Sequence, residues 1–103
     1  MGLAGVATQL GGAYLGEANL AGADLVGANL RGVNLYGTDL RGANLFKAAF
    51  CEANLFMVDL AGANLAGIRN ATVAQLREAK LDAAAIATLP KRLQAALVAA
   101  WLR

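Results

Sequence analysis

Two carboxylates at one repeated position, Asp39 and Asp59, are the residues of this chain that come nearest to chemical equipment. A carboxylate pair can divide general acid and general base duties between its members. Nothing else supports that use. The 103 residues contain no His, which removes the commonest general base and a frequent ligand of catalytic metals. Phosphate-loop, dinucleotide and zinc spacings are missing as well. The simpler reading places both aspartates in an outward row of Asn and Asp side chains. Cys51 is the single cysteine, so it is read as a surface thiol and not as part of a disulfide framework. No catalytic residue, cofactor, metal or small-molecule substrate is expected, and the chain is not read as an enzyme.

The elements that hold these residues follow from a five-residue period. From Thr8 to Gly67 the sequence divides into twelve pentads, among them ADLVG at 23–27 and ANLRG at 28–32. Their middle residue is Leu throughout, except at Phe50. The residue two before it is nearly always small, and the residue just before it is Asn or Asp in nine pentads. Apolar, polar, apolar is the alternation of a strand with one buried face. The two remaining positions break it and often supply Gly, which suits a corner. Each pentad therefore reads as one short side and one turn. A single side cannot bury its Leu alone, so the sides must stack coil on coil.

These residues closely resemble the pentapeptide-repeat family, whose consensus is A(D/N)LXX. The resemblance implies an all-β solenoid, a right-handed quadrilateral β-helix with four pentads per coil. Twelve pentads then make about three coils, a stack about 15 Å tall at strand spacing. The core holds Leu10, Leu15, Leu20, Leu25, Leu30, Leu35, Leu40, Leu45, Phe50, Leu55, Leu60 and Leu65. Small residues such as Ala28, Val33, Thr38 and Ala43 fit between them. The pentad of Ala49, Phe50, Cys51 and Glu52 departs most from the pattern, and local distortion is expected there.

On a four-sided coil the residues following each central Leu become informative. Tyr36 and Phe56 stack on one side, and Val26 and Phe46 lie on the opposite side. Arg31 and Arg41 occupy the other two. Exposed stacked aromatics mark a contact surface. The plainer alternative is that the tail packs over one of these sides.

The chain divides into a lead-in at 1–7, the solenoid at 8–67 and a C-terminal helical cap or tail at 68–103. The pentads set Glu17, Asp24, Asp39, Glu52 and Asp59 against Arg31, Arg41 and Lys47, a net of −2. The tail sets Arg69, Arg77, Lys80, Lys91, Arg92 and Arg103 against Glu78 and Asp82, a net of +4. No stretch of eighteen residues is apolar and uncharged, so no transmembrane helix is expected. The first residues lack the features of a signal peptide, and cytoplasmic residence is the default.

In the tail, Thr72 and Gln75 have capping-box spacing and open a helix through Lys80. Residues 81–89 fit either an extended or a helical path. Thr88 or Leu89 caps a final helix with Pro90 in its first turn. Its stripe of Leu89, Leu93, Leu97 and Trp101 is widened by Val98 and Leu102. That surface exceeds what one cap needs, while Leu3 and Val6 cover the first coil thinly. A homodimer through paired final helices is therefore expected, with closed twofold symmetry. The alternative folds this helix back over Tyr36 and Phe56.

The function expected is a non-catalytic scaffold or protein-interaction module with an unidentified protein partner. No nucleic-acid or membrane partner is expected. The alternative is a topoisomerase-binding mimic of DNA, because the resembling family includes proteins that protect or inhibit gyrase through an acidic surface. A mimic requires many charges along one line, and these pentads are near neutral.

Overall fold

The structure, a computed structural model, describes residues 10–102. The lead-in with Leu3 and Val6, the opening Thr8 and Gln9, and Arg103 lie outside the described residues.

Every described pentad repeats one local arrangement. The Leu carbonyl accepts a hydrogen bond from the N–H three residues on, as from Ala23 to Leu20 (3.0 Å) and from Ala43 to Leu40 (3.0 Å). The corner residue between them has a positive φ, for example Gly22 at 71° and Gly42 at 68°. Such a turn, with its left-handed residue in the third place, favours Gly. Glu17, Lys47, Glu52 and Met57 take the same conformation without being Gly, at φ of 60–63°.

Between corners the residue before the Leu forms a parallel bridge to its counterpart twenty positions on. Tyr14 pairs with Asn34, Asn34 with Asn54, Asp39 with Asp59 and Asn44 with Asn64. Twenty residues are four pentads, so the chain returns to the same side after four corners. The molecule is a β-solenoid. The alternation anticipates strands, but among the described residues the ladder consists of isolated single-residue bridges. A flat side of three residues between turns leaves no length for more.

The Leu column closes the interior. Leu25, Leu30, Leu35, Leu40, Leu45, Leu55, Leu60 and Leu65 are all buried, as are Ala28, Val33, Thr38 and Ala43. Burying each Leu contributes roughly 1.5–3 kcal/mol. Leu10 and Leu15, in the first coil, are only half-buried. Thr38 is the one polar residue among these buried positions, and its hydroxyl donates to the Leu15 carbonyl at 2.8 Å.

The distortion expected around Phe50 does not occur. Ala49 bridges both Asn29 and Arg69, and the Phe50 N–H donates to the Arg69 carbonyl at 2.8 Å. The ring is fully buried. One coil further on, the position that would carry the next Leu is Asn70, which is exposed and turns the chain at φ 60°. The larger side chain therefore falls where no further Leu competes for space.

The repeat persists slightly past its sequence pattern. Ile68 is buried and Arg69 still lies on the ladder. Helix α1, Val73–Glu78, then replaces a flat side. Its capping box forms as the sequence predicts, with Thr72 and Gln75 each accepting from the other's backbone N–H. The ladder resumes at Lys80, which bridges Asp59 at an interval of 21, one residue more than in the repeats. Helix α2, Ala83–Thr88, settles the ambiguous stretch as helical. Helix α3, Lys91–Trp101, follows with Pro90 as its N-cap residue, so neither Thr88 nor Leu89 caps it and Pro90 lies just outside its first turn.

Candidate interaction surface

The aromatic side is built on an amide ladder. The Asn34 Oδ1 accepts from the Tyr36 N–H at 3.0 Å, and the Asn54 Oδ1 accepts from the Phe56 N–H at 2.9 Å. Asn54 Nδ2 donates to Asn34 Oδ1 at 3.3 Å, tying the two rungs together. The same side-chain-to-backbone bond recurs at Asn19, Asp24, Asp39, Asn44, Asp59 and Asn64. It explains why Asn and Asp occupy this position, since a short side-chain oxygen satisfies an N–H that the ladder leaves over. Leaving that position polar and outward-facing does not by itself reveal this role.

On this support the Tyr36 and Phe56 rings stack as the sequence predicts, with centroids 5.7 Å apart and planes 15° from parallel. They remain 40% and 48% exposed. Two further residues join them. The Tyr14 ring lies over Gly16, so closely that its hydroxyl occupies the space a Cβ would need there. Gly16 immediately precedes Glu17, whose N–H donates to the Tyr36 carbonyl one rung on. Met57 follows Phe56, exposed and left-handed at φ 63°. Tyr14 was legible as the one large residue in an Asn/Asp position. Met57 was legible as a bulky residue in a Gly position, where it costs roughly 1–2 kcal/mol.

Val26 and Phe46 share one column, away from Tyr36 and Phe56, as the sequence predicts. Val26 is half-buried, and the exposed Phe46 ring has the Lys47 Nζ 5.2 Å from its centroid. Arg41 makes a two-pronged contact with Asp39, at 2.9 Å and 2.7 Å. The hydrogen bond from the Arg41 side chain, more than any other influence, holds the Asp39 carboxyl down at about 2. Asp39 and Asp59 share a column, and Asp39 is engaged by Arg41. Cys51 is a half-buried free thiol.

The final helix corrects the expected surface. Leu93 and Leu97 are buried in the same core as Leu76 and Leu89, and α3 packs on α1. They support the chain's own fold and leave the contact surface. Val98 and Trp101 of α3, and Leu102 at its C-cap, stay exposed. Tyr36 and Phe56 are exposed too, so α3 does not fold over them. Among the described residues, no group of three or more side chains is placed to hold a metal ion, and no helix is long and apolar enough to cross a membrane.

Parallel rungs at a twenty-residue interval around a closed Leu column define a solenoid repeat protein. The model of the pentapeptide-repeat family matches residues 8–45 as eight copies of its repeat, and over that stretch this chain is similar to the family. No curated protein sequence matches it. Among solved structures, it is similar to a pentapeptide repeat protein from the thylakoid lumen of Arabidopsis thaliana. The identity is 30%, over 58% of this chain and 46% of that one, with a TM-score of 0.33. It is also similar to HetL, a pentapeptide repeat protein involved in heterocyst differentiation regulation in the cyanobacterium Nostoc. Here the identity is 23%, over 70% of this chain and 56% of that one, with a TM-score of 0.36. The matches span about half the length of those proteins.

Proposed function

We propose that this chain is a non-catalytic interaction module of the cytoplasm. In this reading it is a right-handed, four-sided solenoid of about three coils, closed by helices at its C-terminal end, that presents an aromatic face to a protein partner. The observation that carries the proposal is the exposed Tyr36–Phe56 stack, with Met57 beside it, on a backbone ladder that needs none of these side chains to form. Apolar surface held outward on a rigid frame is a feature of contact sites. The left-handed Met57 adds a local cost that the fold gains nothing from.

A DNA mimic is disfavoured by the charges. Its acidic line would run along the column of Asn19, Asp39 and Asp59, but Arg41 engages Asp39 and Lys80 ends the column beside Asp59. Supercoiling by purified gyrase is therefore expected to be unaffected by micromolar protein; inhibition would favour the mimic.

The test of the module is capture from cells of the source, comparing wild type with a Tyr36→Ser/Phe56→Ser double variant. A protein retained by the first and lost by the second is the expected result. Identical captures by both would overturn the assignment of this face.

A further inference from the structure

We propose that copies of this chain associate head to tail, the aromatic face of one seating on the outer face of α3 of the next. This rests on the interaction-module reading and adds the identity of one partner, a second copy.

The aromatic face has a rim of two acids and one base, Glu17, Glu78 and the exposed Arg77 beside Glu78, a net of −1. The Glu17 side chain lies over the corner after Tyr36, where its Cγ would be 3.2 Å from a Cβ on Gly37. The Glu78 carbonyl accepts from the Met57 N–H at 3.0 Å, which sets Glu78 one rung beyond Met57. Both glutamates are exposed, one on either side of Met57 along the same corner. The apolar centre between them is Tyr36, Phe56 and Met57.

The outer face of α3 has the complementary character. Lys91, Gln94, Ala95, Val98, Ala99 and Leu102 line a shallow, largely apolar groove along the helix. Helix α3 contains no carboxylate, and Lys91 and Arg92 are exposed at its start. Half-exposed rings meet a groove, and a rim of net negative charge meets bases. Pairing either face with its own copy instead brings together two faces of the same net charge. Like charges across an interface oppose docking. Only the crossed pairing joins faces of opposite net charge, and a contact between two different faces does not close on itself within a pair. It extends from chain to chain, in place of the closed twofold dimer the sequence suggests.

Light scattering on the full chain at low salt, with circular dichroism to verify folding, tests this. The wild-type mass is expected to rise with concentration past that of two 10.5 kDa chains. Phe56→Ser blocks one face and Val98→Glu the other, so each variant alone is expected to be a folded monomer. Their equimolar mixture restores one crossed contact and is expected to form a dimer that grows no further. A wild type that stays monomeric or stops at a closed dimer overturns the proposal, as does a mixture that remains monomeric. Such a result leaves the capture experiment on Tyr36 and Phe56 standing or falling on its own.

Discussion

The repeats and the tail cover the same column of leucines by different means. Within the repeats, backbone meets backbone: the Leu40 N–H donates to the Asp59 carbonyl, and the Asp59 N–H to the Thr38 carbonyl. One rule serves every side. Past Arg69 helices replace the sides except at Lys80, where the ladder returns, and side chains stand in for the missing parts of the rung. The Gln75 Nε2 donates to the Phe50 and Ala53 carbonyls at 2.8 Å and 3.0 Å. An Asp82 carboxylate oxygen accepts from the Gly62 N–H, and the Thr88 hydroxyl from the Leu65 N–H. An open solenoid end exposes backbone groups that invite pairing with another chain. Here three polar side chains occupy such groups, so the repeat ends without another coil.

The largest test of this comparison lies inside the repeats. Leu40→Asp places an unpartnered carboxylate at a fully buried position, and the cost should be several kcal/mol, near the stability of a whole domain. A circular dichroism melt should show the fold lost, whereas Leu10→Asp, at a half-buried position in the first coil, should remain folded. At the junction, Gln75→Leu removes the donor shared by the Phe50 and Ala53 carbonyls together with half of the capping box. It should cost about 1–3 kcal/mol in denaturant titration. If Gln75→Leu is neutral, the junction does not depend on side-chain substitutes.

Corners should respond next. Gly22→Ala strains a left-handed residue with open space around it, at about 1–2 kcal/mol. Gly37→Ala should cost more, because the Glu17 Cγ lies in the way, and the excess should vanish in a Glu17→Gly background. The smallest effect is that of pH. Asp39 is held at about 2 against an ordinary 3.8, and the Gly62 and Ala85 N–H groups lower Asp82 as well. A depressed carboxyl contributes its stability fully above its unfolded value and loses it as pH falls through the folded one. Melting temperature should therefore be level above about pH 5 and decline between about 4 and 2. Arg41→Ala should soften that decline by removing the side-chain part of the Asp39 share, while the N–H of residue 41 still donates to the carboxylate.

Much of the repeat was legible because each pentad repeats the same local demand. The alternation placed Leu40 inward and Asn34 outward, and four sides followed from the family resemblance. What was not legible arises where a residue serves two levels at once. Phe50 breaks the Leu pattern, yet it competes with no further Leu because Asn70 leaves the core one coil on. Leu93 and Leu97 share a stripe with Trp101, and helical spacing alone does not show how much of that stripe α1 covers. Residues 81–89 carry no period, and their helix depends on Asp82, whose side chain accepts from the Ala85 N–H at 2.8 Å. On the aromatic face the spacing points to Tyr36 and Phe56, while Tyr14 and Met57 are marked only as departures from the usual residue at their positions.

The central claim is that the aromatic face is free of folding duty. The most direct measurement is the thermal melt of the Tyr36→Ser/Phe56→Ser double variant. A stacked aromatic pair contributes about 0.5–1.5 kcal/mol beyond its buried area, so the variant should fold and melt within several degrees of wild type. A double variant that fails to fold, as Leu40→Asp is expected to, would show that these rings hold the solenoid together and would contradict the claim.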